Sequence, residues 1–132
     1  MATFEEQVDA AIAAHGQWKT RLRQAASTGT SEVPASVVRQ DNYCAFGKWL
    51  YGDGKATFPS REQHEEVRTL HAEFHREAAR VLDMALAGKV QEASAALAMG
   101  SKFNRVSATL VTKLNVARSA VVGGRSAREA TG

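Results

Sequence analysis

Apolar residues recur every three or four positions over three long stretches of the chain, which is the period of an α-helix. We therefore predict helices over residues 4–26, 61–87 and 90–121. Gly100 lies inside the third stretch, where it predicts a bend or a close contact between helices. The composition is dominated by Ala, Leu, Val, Glu, Arg and Lys with only two prolines, which also favours helix.

Capping signals stand at the ends of two of these stretches. Thr3 followed by Glu6 has the spacing of a capping box, in which each side chain accepts a hydrogen bond from the other residue's backbone. Ser60 followed by Gln63 repeats the pattern before the second stretch. Gly88 follows that stretch and is expected to end it.

A fourth, shorter helix is predicted around Cys44, in the sequence NYCAFGKWLYG. Asp41 or Asn42 would cap this helix and Gly52 would end it. Gly47 lies within it and weakens an isolated helix, so the element is expected to depend on docking against the rest of the protein. One face of the helix carries Phe46, Trp49 and Leu50.

Three long helices and one short helix predict an all-α fold, and the most economical arrangement is an antiparallel four-helix bundle. A length of 132 residues suits a single domain. We assign residues 1–122 to this bundle. The last residues, 123–132, have nothing to bury and are predicted to form a mobile C-terminal tail.

Charge and cysteine content narrow the function. The net charge is +3, with both signs interspersed and no basic stripe with interleaved aromatic residues, so nucleic acid is not an expected partner. The acidic, polar N-terminus is not a secretory signal, and no apolar run is long enough to insert into a membrane. A single cysteine agrees with the reducing cytoplasm, which is the expected location.

Histidine spacing points to a metal site. His71 and His75 are four residues apart, on the apolar face of the second predicted long helix, so both side chains can reach one ion. On its own the pair is only suggestive, because exposed or ordinary core histidines at this spacing are more common than metal ligands. Cys44 and His15, on inward faces of two other helices, complete a set of three nitrogens and one thiolate that suits tetrahedral zinc. His64 lies too far along the helix from His75 to share the ion and is expected at the surface or helix end.

Two catalytic interpretations are disfavoured, and we predict no enzyme. The sequence HAEFH differs from the zinc-protease signature H-E-x-x-H, because Glu73 follows the first histidine by two residues and faces away from the metal. A closed four-ligand site also leaves no position for water or substrate. A cysteine–histidine nucleophile involving Cys44 is the other possibility, but the sequence reveals neither oxyanion donors nor a substrate pocket.

The motifs resemble a known family. His15 followed by Trp18, Lys19 and Leu22, then CAFGKWLYG and then LHAEFH, in that order, are similar to the chemoreceptor zinc-binding (CZB) domain. The resemblance covers residues 4–121, and its most specific part is a cysteine, one residue, and then Phe-Gly-Lys-Trp-Leu.

The resemblance implies one zinc ion per chain, held by three histidines and one cysteine within a helical bundle. By matching position, the ligands are His15, Cys44, His71 and His75. Cys44 would be the redox-sensing group, and the side chains expected to pack around the site are Trp18, Phe46 and Trp49.

The family also implies a function. Such domains are cytoplasmic bacterial regulatory modules, often homodimers, that accompany chemoreceptors or diguanylate cyclases and act in chemotaxis or cyclic-di-GMP signalling. They are thought to sense zinc, or oxidants such as hypochlorous acid. The chain contains neither a receptor signalling hairpin nor the GGDEF cyclase motif, so these components are expected as partners in cis or in trans. The alternative is a structural module in which zinc stabilises a helical dimerisation domain without sensing.

Overall fold

The computed structural model describes residues 3–31, 34–40 and 44–131, with side chains up to residue 121. All regular secondary structure in these residues is helical, which confirms the predicted all-α class. The helices, in chain order, are α1 (Phe4–Thr28), α2 (Ala35–Val38), α3 (Ala45–Tyr51), α4 (Gly54–Thr57), α5 (Arg61–Leu86), α6 (Val90–Ala96) and α7 (Lys102–Thr131). Their detailed arrangement as an antiparallel four-helix bundle stays a prediction.

The predicted helix starts are confirmed where side chains cap them. Thr3 and Glu6 form the reciprocal capping box of α1. Ser60 caps α5 by accepting a hydrogen bond from the backbone N–H of Gln63, at 3.1 Å. Gly88 follows α5 with a φ of +79°, a left-handed conformation that favours glycine and ends the helix.

The prediction of one continuous helix over residues 90–121 was wrong. The structure breaks this stretch into α6 and α7, with Gly100 in the connection at a φ of +85°. No right-handed helix passes through a residue in that conformation, so Gly100 marks a full break and not a bend. At its other end α7 runs on to Thr131, while the boundary of the domain near residue 122 stays a prediction.

Helix α5 lies at the centre of the packing, where it contacts α1, α2, α6 and α7. The core is formed along the faces of the three long helices that meet there. Its largest fully buried apolar side chains are Val8 and Leu22 of α1, Val67, Phe74, Val81 and Leu82 of α5, and Phe103, Leu110 and Leu114 of α7, together with Val38 of α2 and Leu50 of α3. The described helices contain no segment long and apolar enough to span a lipid bilayer.

The short helices α3 and α4 form a tight pair in which Gly54 lies directly against Trp49. A Cβ atom at Gly54 would lie 2.7 Å from both the indole ring and the backbone carbonyl oxygen of Trp49. Trp49 in turn stacks on Phe46, with ring centroids 5.5 Å apart. Glycine at position 54 therefore fixes how closely α4 approaches the cysteine-bearing helix.

Two glycine-to-alanine substitutions are expected to change stability in opposite directions. Gly54→Ala should lower the free energy of unfolding by about 1–3 kcal/mol, because the added methyl meets backbone as well as ring. Gly16→Ala, within α1 and with no heavy atom near its Cβ position, should raise it by about 0.5–1 kcal/mol. Urea unfolding of both variants measures these changes in the free energy of unfolding. A Gly54→Ala protein as stable as the parent would contradict the close approach of Gly54 to Trp49.

Candidate metal centre

Helix α5 places His71 and His75 one turn apart on its buried face. Both side chains are almost completely buried. Their Nε2 atoms lie 3.1 Å apart, so the two imidazoles converge on one point.

Cys44 reaches the same point from α3. Its Sγ lies 3.5 Å from Nε2 of His71 and 3.6 Å from Nε2 of His75. Cys44 is the N-cap residue of α3, with an extended backbone, and its sulfur accepts a hydrogen bond from the backbone N–H of Gly47 at 3.3 Å. The predicted caps Asp41 and Asn42 lie outside the described residues.

The distances between these three donors fit zinc. With Zn–N bonds of about 2.0–2.1 Å and Zn–S bonds of about 2.3 Å, a tetrahedral site requires edges of about 3.3 Å between nitrogens and about 3.6 Å between nitrogen and sulfur. The three donor atoms of Cys44, His71 and His75 all lie within 4.8 Å of one another, in a group that can hold a metal ion. A mixed set of imidazole and thiolate is also the donor chemistry that zinc prefers.

The backbone orients one of the histidines. Nδ1 of His75 lies 2.8 Å from the carbonyl oxygen of Val38, at the end of α2. Because a carbonyl only accepts hydrogen bonds, Nδ1 carries a proton, and in the neutral ring Nε2 then presents its lone pair. Metal-binding histidines commonly have such a partner for the second ring nitrogen.

His15 lies beside this cluster but is not part of it. It is buried, lines the same cavity as Cys44, His71 and His75, and packs its ring against Phe74 with centroids 4.0 Å apart. None of its nitrogens lies within 4.8 Å of all three cluster donors. Its Nδ1 is buried with no hydrogen-bond partner among the described residues, so the side chain retains an unsatisfied donor or acceptor next to the site. The role of His15 as the fourth ligand stays a prediction.

Burial keeps the histidines neutral. The pKa of His15 falls from 6.5 to about 4, chiefly because burial disfavours the charged ring, with smaller effects from His75 and Lys19. The pKa of His71 falls to about 3 for the same main reason, with His75 and His15 contributing. Both rings are therefore uncharged at neutral pH, which is the state that binds metal.

These low pKa values predict that acid destabilises the metal-free protein. Between pH 6.5 and about 4, the unfolded chain protonates His15 while the folded protein does not, so stability falls as the pH falls. His15 alone should lower the free energy of unfolding by about 3 kcal/mol between pH 7 and pH 4. Urea unfolding of metal-free parent and His15→Gln proteins tests this, and an identical pH dependence in both would contradict it.

Aromatic rings surround the cluster on two sides. Phe46 meets the ring of His71 edge-on at 5.1 Å between centroids, and Trp18 meets that of His75 at 6.5 Å. Trp49 lies one layer further out, where it contacts Phe46, Phe4 and Phe58. Trp18 and Phe46 thus touch the histidines themselves, whereas Trp49 supports Phe46 from behind.

His64 was expected at the surface or at a helix end; it does lie near the start of α5, but the expectation of a surface position was wrong. It belongs to the first turns of α5, but its side chain is buried and its Nε2 lies 2.8 Å from the carbonyl oxygen of Leu50. Its ring also packs edge-on against Phe58, with centroids 5.4 Å apart. His64 therefore fastens the C-terminal end of α3 to α5, away from the metal cluster.

The Val38 carbonyl contacts His75, and the Gly47 N–H contacts the Cys44 sulfur. Both are backbone groups, so no side-chain pattern in the sequence could have revealed them. Glu77, two residues after His75, forms ion pairs with Arg80 at 2.8 Å and Lys102 at 3.3 Å. Burial raises the pKa of its carboxyl, and these two cations outweigh that effect and hold the pKa below its usual value.

A helical fold with buried histidines and a cysteine converging on one point defines a metal-binding helical domain. Residues 15–82, just over half of the chain, match the sequence profile of the chemoreceptor zinc-binding domain, and the chain belongs to this family. The matched segment begins at His15 and contains all four predicted ligands. Comparisons with curated proteins and with solved structures gave no significant match.

Proposed function

We propose that this chain is a zinc-dependent regulatory domain whose conformation changes when the metal is lost or Cys44 is oxidised. The observation that supports it most is the convergence of Cys44 with His71 and His75, which lie 27 and 31 residues further along the chain. His15 serves as the fourth ligand in this proposal, with one zinc ion per chain. When bound, the ion would supply a positive charge that keeps the Cys44 sulfur as a thiolate.

Helix α3 is the element that responds. Its seven residues are too few to form a stable helix alone, so its position depends on contacts with the rest of the protein. Cys44 holds its N-terminal end near α5, and the bond from His64 to the Leu50 carbonyl holds its C-terminal end. Loss of the cysteine contact releases the first end while the second stays attached, so α3 would swing and remain docked.

Oxidation acts on the same end. A sulfenic acid at Cys44 is a weaker ligand than a thiolate. The site has one sulfur, so a single two-electron oxidation removes its only thiolate. Oxidants such as hypochlorous acid and low zinc availability would therefore produce the same structural response.

The proposed setting follows from the family. The domain acts in the bacterial cytoplasm as a homodimer and passes its change in α3 to chemoreceptor or diguanylate cyclase components, in cis or in trans, in chemotaxis or cyclic-di-GMP signalling. It is proposed to be a binding module and not an enzyme, because four protein ligands leave no coordination position for a substrate.

A structural role for zinc is the second candidate. The burial of His71 and His75 and the fixed partner of His75 also suit a permanent site that stabilises a helical dimerisation domain. The two functions differ in what remains after the metal is removed. A regulatory domain keeps its long helices and changes α3, whereas a purely structural site loses its fold.

The chain's two tryptophans allow these outcomes to be separated. In a Trp18→Phe variant, Trp49 is the only tryptophan and reports on α3. On chelation, or with stoichiometric hypochlorous acid, we expect Trp49 emission to shift to longer wavelength while far-ultraviolet circular dichroism stays nearly constant. Cys44→Ser in the same background should already show the shifted emission and respond little to oxidant. If the Trp49 emission shifts and the far-ultraviolet circular dichroism collapses together on zinc loss, the protein unfolds and the structural role is supported. If neither readout changes on zinc loss, the regulatory role is contradicted.

A further inference from the structure

A cavity of about 130 Å³ lies against the candidate metal centre, between α1, α3 and α5. Its inner wall includes Cys44, His71, His75 and Phe74. A cavity of about this size can accept a molecule as large as benzene. The space beside the ligand cluster therefore has room for a small molecule.

The outer wall of the cavity is made of alanines. Ala10 and Ala14 of α1 and Ala45 of α3 line it and are themselves exposed, which places them at its mouth. Ala10 and Ala14 are four residues apart and so lie on one face of α1. Larger side chains at these positions would occupy the opening, because nothing but a methyl group now projects into it.

The lining also discriminates by charge. Among the described residues that line the cavity, the only polar side chains are those of Gln7, Cys44 and the three histidines of the site, and none is Lys, Arg, Asp or Glu. Along this lining a charged reagent would lose hydration without a charged side chain to pair with, which is costly.

We propose that this cavity is the route by which reagents reach the Cys44 sulfur, that it admits small uncharged molecules and rejects large or charged ones, and that Ala14 sets the size limit. The inference deepens the proposed function by naming the class of molecule that the cysteine can meet. Small neutral oxidants pass, whereas glutathione disulfide, which is large and charged, does not. Cys44 is thereby protected from disulfide exchange with the glutathione pool.

Two thiol reagents with the same chemistry test the selectivity. With methyl methanethiosulfonate, the Cys44 thiolate attacks the sulfenyl sulfur, a new S–S bond forms, and methanesulfinate leaves with the electron pair of the broken S–S bond. The 2-sulfonatoethyl analogue reacts in the same way but is larger and negatively charged. Each rate, followed by mass spectrometry on zinc-loaded protein, is divided by the rate of that reagent with cysteine in solution.

The relative rate is expected to be at least tenfold higher for the small neutral reagent. Ala14→Leu should slow that reagent at least tenfold, whereas Ala13→Leu, an exposed neighbour that does not line the cavity, should react like the parent. Equal relative rates for the two reagents, or an Ala14→Leu protein as reactive as the parent, would overturn the proposal. Zinc content is measured in every sample. A protein that binds no zinc would count against the proposed function, but the relative rates of the two reagents would still test the selectivity of the cavity.

Discussion

Replacing His75 with alanine is expected to weaken zinc binding by more than a hundredfold. The substitution removes one of the three converging donors and also leaves the Val38 carbonyl without its hydrogen-bond donor. Loss of a supporting group alone typically lowers metal affinity by about 10- to 100-fold, so loss of a ligand should exceed that range. Competition with a chromophoric chelator measures the affinity.

His64→Ala is the matched control for this experiment. His64 is equally buried on the same helix, but it contacts the Leu50 carbonyl and not the metal cluster. Its loss should reduce stability while leaving zinc affinity within a few-fold of the parent. If His75→Ala bound zinc as tightly as His64→Ala, the assignment of His75 as a ligand would be wrong.

Phe74→Ala is expected to have the largest effect on stability. Phe74 is 1% exposed and packs against Phe103 of α7 at 5.3 Å and against His15 of α1 at 4.0 Å between ring centroids. Truncation leaves a void where the three long helices meet, and such changes cost about 3–5 kcal/mol. Urea unfolding of the zinc-free protein gives the value without a contribution from the metal.

Leu86→Ala provides the comparison on the same helix. Leu86 is 44% exposed at the end of α5, so its truncation should change the free energy of unfolding by about 0.5 kcal/mol or less. A cost for Phe74→Ala as small as that for Leu86→Ala would show that the junction of the long helices is not the centre of the core.

The features that could be predicted from sequence are those set by local spacing. His71 and His75 share a face because four residues make about one helical turn, wherever the helix packs. The caps at Thr3 and Ser60 follow from patterns only a few residues long. The grouping of Cys44 with the histidine pair followed from donor chemistry. The resemblance of the CAFGKWLYG motif to the family agreed with that grouping.

The features that could not be predicted depend on how distant elements meet. His64 is buried only because α3 and α4 bring Leu50 and Phe58 against it, and no local pattern encodes that contact. The Val38 carbonyl supports His75 through backbone, which any residue type provides. Gly100 was visible in the sequence, but a glycine within an apolar repeat is compatible with a bend, a contact or a break until its φ is known.

X-ray absorption spectroscopy at the zinc edge identifies the atoms bound to the ion. In stoichiometrically loaded protein, we expect one sulfur at about 2.3 Å and nitrogens at about 2.0–2.1 Å around zinc. The sulfur contribution should disappear in Cys44→Ser, and His15→Ala should remove a nitrogen if His15 is the fourth ligand. Zinc surrounded only by nitrogen and oxygen in the parent, or a protein that binds no zinc, would contradict a metal centre built on Cys44, His71 and His75.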